Sequence, residues 1–281
     1  MKRKDGFLKK ALSFVLLFSL LACALAFSVN ATGQSVGVFI DNSQFNGNVT
    51  IKDNTTFVGV RKFATSMDSS AKVTYNYSTR TLTIQSSKLY MTVTDGANYV
   101  VANGRYLYTP TPIYMRYGIM YAPVLIMAKA FDAKISWSNY NSSFYITRGS
   151  GGILSGDKFY RSDEVYWLSR IINAESGGEI LKGKIAVGNV ILNRVRSSYF
   201  PNTIYGVIFD KKNGTQFSPT ANGMIYKAPN AQSIIAAKIC LEGYSINTGI
   251  LYFVNPSIVP HCWVCQNRRL YAQIGNHAFY Y

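Results

Sequence analysis

Ser162-Asp163-Glu164-Val165-Tyr166-Trp167-Leu168-Ser169-Arg170-Ile171-Ile172-Asn173-Ala174-Glu175-Ser176-Gly177-Gly178 reads as one amphipathic helix running into a glycine turn. Ser162 is a suitable N-cap, with Asp163 and Glu164 in the first turn, where the helix dipole favours anions. Val165, Leu168, Ile171 and Ile172 recur at helical spacing and mark an apolar face. The next position on that face is Glu175. A carboxylate is therefore expected on the buried side of a helix, at its C-terminal tip. Burial disfavours the charged form, and the negative end of the dipole disfavours it again. A glutamate that keeps its proton near neutral pH suits general acid catalysis of glycosidic cleavage. A lone glutamate at a frayed helix end is ordinarily solvated surface, and here the apolar face favours the catalytic reading.

Glu179 follows just past the glycines, where the next helix begins. It reads either as a second carboxylate or as a first-turn residue stabilised by the dipole, and is given a supporting, substrate-binding place. The span from about Ile180 to Val195 is apolar almost all round, as in the buried centre of a domain. Phe200-Pro201-Asn202-Thr203 stops and restarts the chain, with Ile204 to Phe209 a short helical turn. Asp210 to Asn230 is a polar loop long enough to be functional. Within it, Gln216-Phe217-Ser218 offers hydrogen bonds and a flat apolar contact to sugar rings, or else a plain surface loop with one anchored Phe. Asn230 caps a further helix through Leu241, which Gly243 ends.

Toward the N-terminus the period changes. Residues 36–148 hold short alternating runs rich in Val, Ile, Thr and Tyr, which read as strands. They repeat internally. Phe57-Val58-Gly59-Val60-Arg61-Lys62-Phe63-Ala64 leads to Ala71-Lys72-Val73-Thr74-Tyr75 and then Leu82-Thr83-Ile84. Tyr121-Ala122-Pro123-Val124 leads to Ala133-Lys134-Ile135-Ser136-Trp137 and then Phe144-Tyr145-Ile146. Each copy reads as strand, short helix and hairpin, and two copies can bury a face that neither buries alone. Gly149-Ser150-Gly151-Gly152 and Ser155-Gly156 read as a flexible linker over 149–158, which puts the second domain at 159–281.

Residues 1–31 read as an export signal. Lys2, Arg3, Lys4, Lys9 and Lys10 precede an apolar run from Ala11 to Ala22 that is too short for a membrane span. Cleavage is read after Ala24-Leu25-Ala26 or after Val29-Asn30-Ala31, the second leaving a polar start at Thr32. A lipobox ending in Cys23 ranks below both, because Leu fits its second position poorly. Removing the signal takes Lys+Arg from 29 to 24 and Asp+Glu from 13 to 12, so the formal charge falls from +16 to +12. An exported chain this basic expects an anionic partner: wall polymer, spore cortex or membrane surface. Export and scattered charge both argue against nucleic acid. Cys240, Cys262 and Cys265 then leave an odd thiol count.

Five runs resemble the SleB-type cell wall hydrolase family, named for spore cortex-lytic enzymes. They are Ala174-Glu175-Ser176-Gly177-Gly178-Glu179, Ala186-Val187-Gly188-Asn189-Val190-Ile191-Leu192-Asn193-Arg194-Val195, Phe200-Pro201-Asn202-Thr203-Ile204, Leu251-Tyr252-Phe253-Val254-Asn255-Pro256 and Ile274-Gly275-Asn276-His277. The resemblance implies a mainly helical, lysozyme-like fold with lytic transglycosylase activity on peptidoglycan glycan strands. It puts the catalytic glutamate at Glu175. The chain departs from the family's Glu-Ala-Arg-Gly-Glu-like motif by reading Glu-Ser-Gly-Gly-Glu, which removes an arginine contact. Residues 36–148 resemble the copper amine oxidase N-terminal-like domain. No copper is expected there, since both histidines lie in the other half and the acids are dispersed.

The expected architecture is thus α+β: a duplicated, strand-rich module followed by a mainly helical catalytic domain. Tyr226, Tyr252, Asn255 and Trp263 join Glu179, Gln216, Phe217 and Ser218 as candidate sugar contacts. No cofactor or metal is expected. The N-terminal module is expected to adhere to wall or to meet wall or spore-coat proteins. Two rival functions stand beside this one. A zinc or Cys–His amidase would need His261, His277, Cys262 and Cys265 in one site, or an activated thiolate. A non-catalytic wall-binding protein would need no acid at position 175.

Overall fold

The computed structural model describes residues 36–212 and 214–281. The export signal expected over 1–31, its cleavage points and Cys23 lie outside the described residues.

The first half is built from strands β1 (Gly37–Ile40), β2 (Ser43–Gln44), β3 (Val49–Lys52) and β4 (Thr55–Gly59), helix α1 (Val60–Met67), and strands β5 (Lys72–Asn76), β6 (Thr81–Gln85), β7 (Tyr90–Thr94), β8 (Tyr99–Ala102), β9 (Arg105–Tyr108), β10 (Tyr114–Arg116) and β11 (Ile119–Pro123). Helix α2 (Val124–Ala130) and strands β12 (Lys134–Ser138) and β13 (Ser143–Thr147) complete it. The repeat is present as β4-α1-β5-β6 and β11-α2-β12-β13. The leading strands of the two copies pair antiparallel, with Phe57 opposite Pro123. Val60, Phe63, Ala64 and Met67 of α1 point into the core at helical spacing, as do Val124, Met127 and Ala128 of α2. Two-residue turns with both residues at positive φ close several hairpins, among them Asp53-Asn54 and Asn103-Gly104. Such turns match the natural twist of paired strands and favour Asn, Asp and Gly.

Glycines 149, 152 and 156 do not form the expected flexible linker. Ile153 is buried, its amide donates to Ala130 O, and Asn103 Nδ2 donates to Ile153 O. A Cβ at Gly149 would meet Asp132 O at 1.8 Å, and one at Gly152 would meet Lys88 O at 2.2 Å. Here glycine serves close backbone packing, and composition alone does not separate that use from flexibility.

The second half contains helices α3 (Gly156–Phe159), α4 (Ser162–Ser176), α5 (Leu181–Arg196), α6 (Ile204–Ile208), α7 (Ser218–Ala221) and α8 (Ala231–Leu241), strand β14 (Tyr252–Val254), helix α9 (Trp263–Asn267) and strands β15 (Leu270–Ile274) and β16 (His277–Tyr280). Helix α4 starts one residue earlier than expected. Ser162 is its first residue, and Arg161 before it makes no side-chain cap but pairs with Asp163 at 2.8 Å. Asn230 caps α8 as expected, its Oδ1 accepting from Ser233 N at 2.8 Å. The mainly helical half also carries a three-stranded sheet in the order β14-β16-β15.

Helix α5 is the buried axle of this half, and its polar residues are staples. Asn189 Nδ2 donates to Tyr244 O and its Oδ1 accepts from Ile246 N. Asn193 Nδ2 donates to Asn247 O and Ile250 O, and Arg194 Nε donates to Leu251 O. The buried amides satisfy the backbone of residues 244–251, which otherwise would lose hydrogen bonds to water without replacement. A Cβ at Gly188 would meet Cys240 Sγ at 2.7 Å and Ile172 Cδ1 at 2.9 Å, so glycine sets the spacing of α4, α5 and α8. The run from Gly188 to Arg194 therefore builds the frame around the site.

The two halves meet at Glu242. Its buried carboxylate accepts from Arg105 Nε and Nη2, both at 2.7 Å, from Tyr160 Oη at 2.8 Å and from Lys129 Nζ at 3.1 Å. Burial raises its pKa, but these hydrogen bonds outweigh burial and hold it below the ordinary range. Tyr108 and Tyr244 pack beside it with ring centroids 4.3 Å apart.

Candidate active site

Glu175 sits in the last turn of α4, on the wall of an open cleft of about 710 Å3. Asn173, Glu179, Ser218, Asn255 and His277 line the same cleft, with Phe253, Ile258 and Val259 as its apolar part. Among the described residues nothing donates a hydrogen bond to the Glu175 carboxylate and no cation pairs with it. Burial pushes its pKa up from 4.5 to about 7. The direction is the one expected from the helical periodicity, and desolvation is its cause.

The turn that follows is held rigidly. Ser176 Oγ donates to Ile172 O at 2.7 Å, and Asn230 Nδ2 donates to Gly177 O at 3.2 Å. Asn173 Oδ1 accepts from Asn230 N at 3.0 Å and from Ser233 Oγ at 3.3 Å, tying the tip of α4 to the start of α8. A Cβ at Gly177 would meet Asn173 O at 2.6 Å, whereas the Cβ position of Gly178 is open.

Glu179 is engaged elsewhere. Its carboxylate accepts from Asn276 Nδ2 at 2.9 Å and Asn276 N at 3.2 Å, and its backbone carbonyl accepts from the buried Lys184 ammonium. A Cβ at Gly275 would lie 1.8 Å from Glu179 Oε2, and Gly275 has φ +61°, so that turn requires glycine. His277 Nδ1 is 3.7 Å from Glu179 Oε1 and has no hydrogen-bond partner. Burial holds the His277 imidazole below its ordinary pKa, against the pull of Glu179. Glu179 thus clasps the β15–β16 turn to the start of α5, and Glu175 is the cleft carboxyl left free.

The other candidate sugar contacts divide. Ser218 and Asn255 line the cleft. Phe217 does not reach it. The ring is buried in the core, stacked on Phe253 with centroids 6.4 Å apart, because the 210–230 segment folds into α7 and a short 3-10 turn at Met224–Tyr226. Gln216 is drawn to Arg194 and Gly214 outside the cleft lining. Tyr252 alternates with Phe253 on β14 and so faces the other way, where Arg268 donates to its hydroxyl at 3.3 Å. Tyr226 and Trp263 are exposed but stand outside the cleft, Tyr226 near Trp167 and Trp263 under the Arg268 guanidinium.

Asn173, Phe253, Ile258, Val259 and His277 were not among the expected contacts. Phe253 had a signal in the strand alternation, whereas Asn173, two residues before Glu175 on the helix, is not on the face that the apolar spacing marks. The place of His277 depends on β16 pairing with both neighbours, which no local pattern encodes. Cys240 is fully buried, and burial raises its thiol pKa strongly, which disqualifies it as an activated nucleophile.

Residues 178–280 match the model of the Cell Wall Hydrolase family, and residues 39–146 match the Copper amine oxidase N-terminal domain. Residues 178–280 thus carry a cell wall hydrolase domain. The family match begins after Glu175, so the role of that residue rests on its geometry. A spore cortex-lytic enzyme of Bacillus cereus is 34% identical over 120 residues, covering 43% of this chain and 45% of that protein. A spore cortex-lytic enzyme of Bacillus subtilis is 32% identical over 120 residues, covering 43% of this chain and 38% of the relative. The chain thus spans less than half the length of these curated relatives. Among solved structures, the catalytic domain of the germination-specific lytic transglycosylase SleB from Bacillus anthracis is 32% identical. The match covers 46% of this chain and all of that one, with a TM-score of 0.40. The Glu179–Asn276 clasp and the α5 staples lie within the matched residues.

Proposed function

We propose that this chain is an exported peptidoglycan-cleaving enzyme, a lytic transglycosylase in which Glu175 is the single acid/base. The observation that carries this reading is an unpaired, half-buried carboxyl at an open cleft, with a pKa of about 7. Such a group is present in both protonation states near neutral pH, as one residue serving as acid and then base requires. Hydrolysis with two carboxylates needs a second free acid at defined separation. Glu179, the other acid lining the cleft, has its oxygens committed to Asn276. The names of the curated relatives, spore cortex-lytic enzymes, support peptidoglycan as the polymer.

In this mechanism protonated Glu175 gives its proton to the oxygen leaving between N-acetylmuramic acid and N-acetylglucosamine. The resulting carboxylate takes the proton of the muramic acid C6 hydroxyl, and O6 closes on C1 as a 1,6-anhydro ring. The enzyme returns to its starting state, and no water is consumed. Asn173, Ser218 and Asn255 are placed to hold the sugar hydroxyl and amide groups, and Phe253, Ile258 and Val259 to face the ring carbons. The site of action is the cell wall or spore, reached through the export signal read over residues 1–31. Clearing of a peptidoglycan suspension tests the proposal. The wild type is expected to clear it and Glu175→Gln to leave it turbid while keeping its circular dichroism. An equally active Glu175→Gln would refute the assignment.

A further inference from the structure

The N-terminal half has a cavity that plays no part in the proposed cleavage. It measures about 580 Å3 and lies between α1, the β5–β6 strands and the β10–β11 hairpin. Its floor is apolar, made by Val73, Leu82, Met115 and Met120, while Arg61 and Lys62 of α1 stand exposed at its rim. No Asp or Glu lines it. Arg61 is fixed in place, its Nη1 donating to Val73 O at 2.8 Å, with guanidinium donors left over. Among the described residues neither Arg61 nor Lys62 forms an ion pair. Tyr77 is 86% exposed on the same cavity and is buttressed edge-on by Tyr75, centroids 4.8 Å apart.

The duplication supplies an internal control. Val60-Arg61-Lys62-Phe63-Ala64 of the first copy corresponds to Val124-Leu125-Ile126-Met127-Ala128 of the second, and Tyr75-Asn76-Tyr77 to Trp137-Ser138-Asn139. Phe63 and Met127 are both core residues, as are Ala64 and Ala128. The unit folds with Leu and Ile where the first copy carries Arg and Lys, so the unit itself does not require those cations. Two free cations, a propped aromatic face and an apolar floor together match a ligand that is acidic and carries sugar or methyl surfaces.

We propose that this cavity is a second polymer-binding site that takes an acidic glycopeptide segment of peptidoglycan. A stem-peptide carboxylate meets Arg61 and Lys62, and a sugar face or alanine methyl lies against Tyr77 and the floor. The idea rests on the substrate proposed for Glu175. The Glu242 junction holds the two halves together, so a strand gripped here keeps the cleft supplied at high local concentration.

The test uses the full chain carrying Glu175→Gln, so that strands stay intact, and co-sedimentation with peptidoglycan sacculi stripped of teichoic acid. Arg61→Leu with Lys62→Ile copies the second repeat into the first. It is expected to weaken binding about tenfold and to flatten its salt dependence. Lys62→Glu, which keeps the Arg61 hydrogen bond, and Tyr77→Ala are expected to weaken it too. Lys134→Ala, a charge removed from the other copy, is expected to change nothing. Undiminished binding in the double variant, or equal loss with Lys134→Ala, would overturn the site. Loss seen only on sacculi that retain teichoic acid would overturn the choice of ligand. In parallel, release of fragments from short soluble glycans by chains retaining Glu175 reports the cleft alone. No release with the binding loss present would refute the proposed function, and release with unchanged binding would refute this site.

Discussion

Replacing Glu175 with glutamine is expected to abolish cleavage and at the same time to make the protein more stable, but only above acidic pH. Burial raises the Glu175 pKa from 4.5 to about 7. Between those values the unfolded chain has released the proton and the folded chain still holds it. The unfolded state then binds fewer protons, so stability falls as pH rises from about 4.5 to 7 and stays reduced above. A shift of this size corresponds to about 3 kcal/mol at most, reduced to about half by the residue's remaining contact with solvent. Glutamine has nearly the same shape and no charge to desolvate. Thermal melts of both proteins across pH 4 to 8 provide the assay. The variant is expected to match the wild type near pH 4 and to melt several degrees higher at pH 8. A variant no more stable at pH 8 than at pH 4, relative to wild type, would mean that Glu175 is well solvated and would refute the reasoning.

Further outcomes follow from the same geometry. Above pH 7 the protonated fraction of Glu175 falls about tenfold per pH unit, so turnover in that range is expected to fall in parallel; a flat profile from pH 7 to 9 would contradict it. Arg105→Ala leaves the buried Glu242 carboxylate with Tyr160 and Lys129 alone and is expected to cost about 3 kcal/mol in chemical denaturation. Because Glu242 is held below its ordinary pKa, this difference from wild type should be full above about pH 5 and shrink as pH falls through the folded value. Gly275→Ala drives a Cβ into Glu179 Oε2 at a positive φ and is expected to lower the melting temperature, with partial rescue by Glu179→Ala. In native thiol alkylation Cys262 and Cys265, whose sulfurs are 2.9 Å apart, are expected to react while buried Cys240 does not. Mild disulfide oxidant should remove two hydrogens and both reactive thiols together.

Much of this was legible along the chain because it depends on short spacings. The helix carrying Glu175 followed from four apolar residues at helical period, and the duplicated unit followed from two copies of one pattern. What escaped depends on contacts between distant residues. Phe217 looked like a sugar platform in a polar loop, yet Pro219 and Ile225 are buried with it and pull that segment into the core. The glycines at 149, 152 and 156 looked like a linker because close packing and flexibility use the same residue. His277 reaches the cleft, and Asn276 just before it reaches Glu179, because β16 pairs with β14 about 25 residues upstream. Glu242 stands between Leu241 and Gly243 at a helix end, where no local pattern points to its partner Arg105, 137 residues away.

Glu175 as sole acid/base of a transglycosylase is tested most directly by the chemistry of the ends it makes. Purified cortex and vegetative peptidoglycan would be digested with the full chain and with Glu175→Gln, and the released muropeptides weighed by mass spectrometry. Anhydro-muramic ends from the wild type and none from the variant are the predicted result. Reducing sugar ends would contradict it by requiring water and a second carboxylate, and cut peptides on intact glycan would replace the activity altogether.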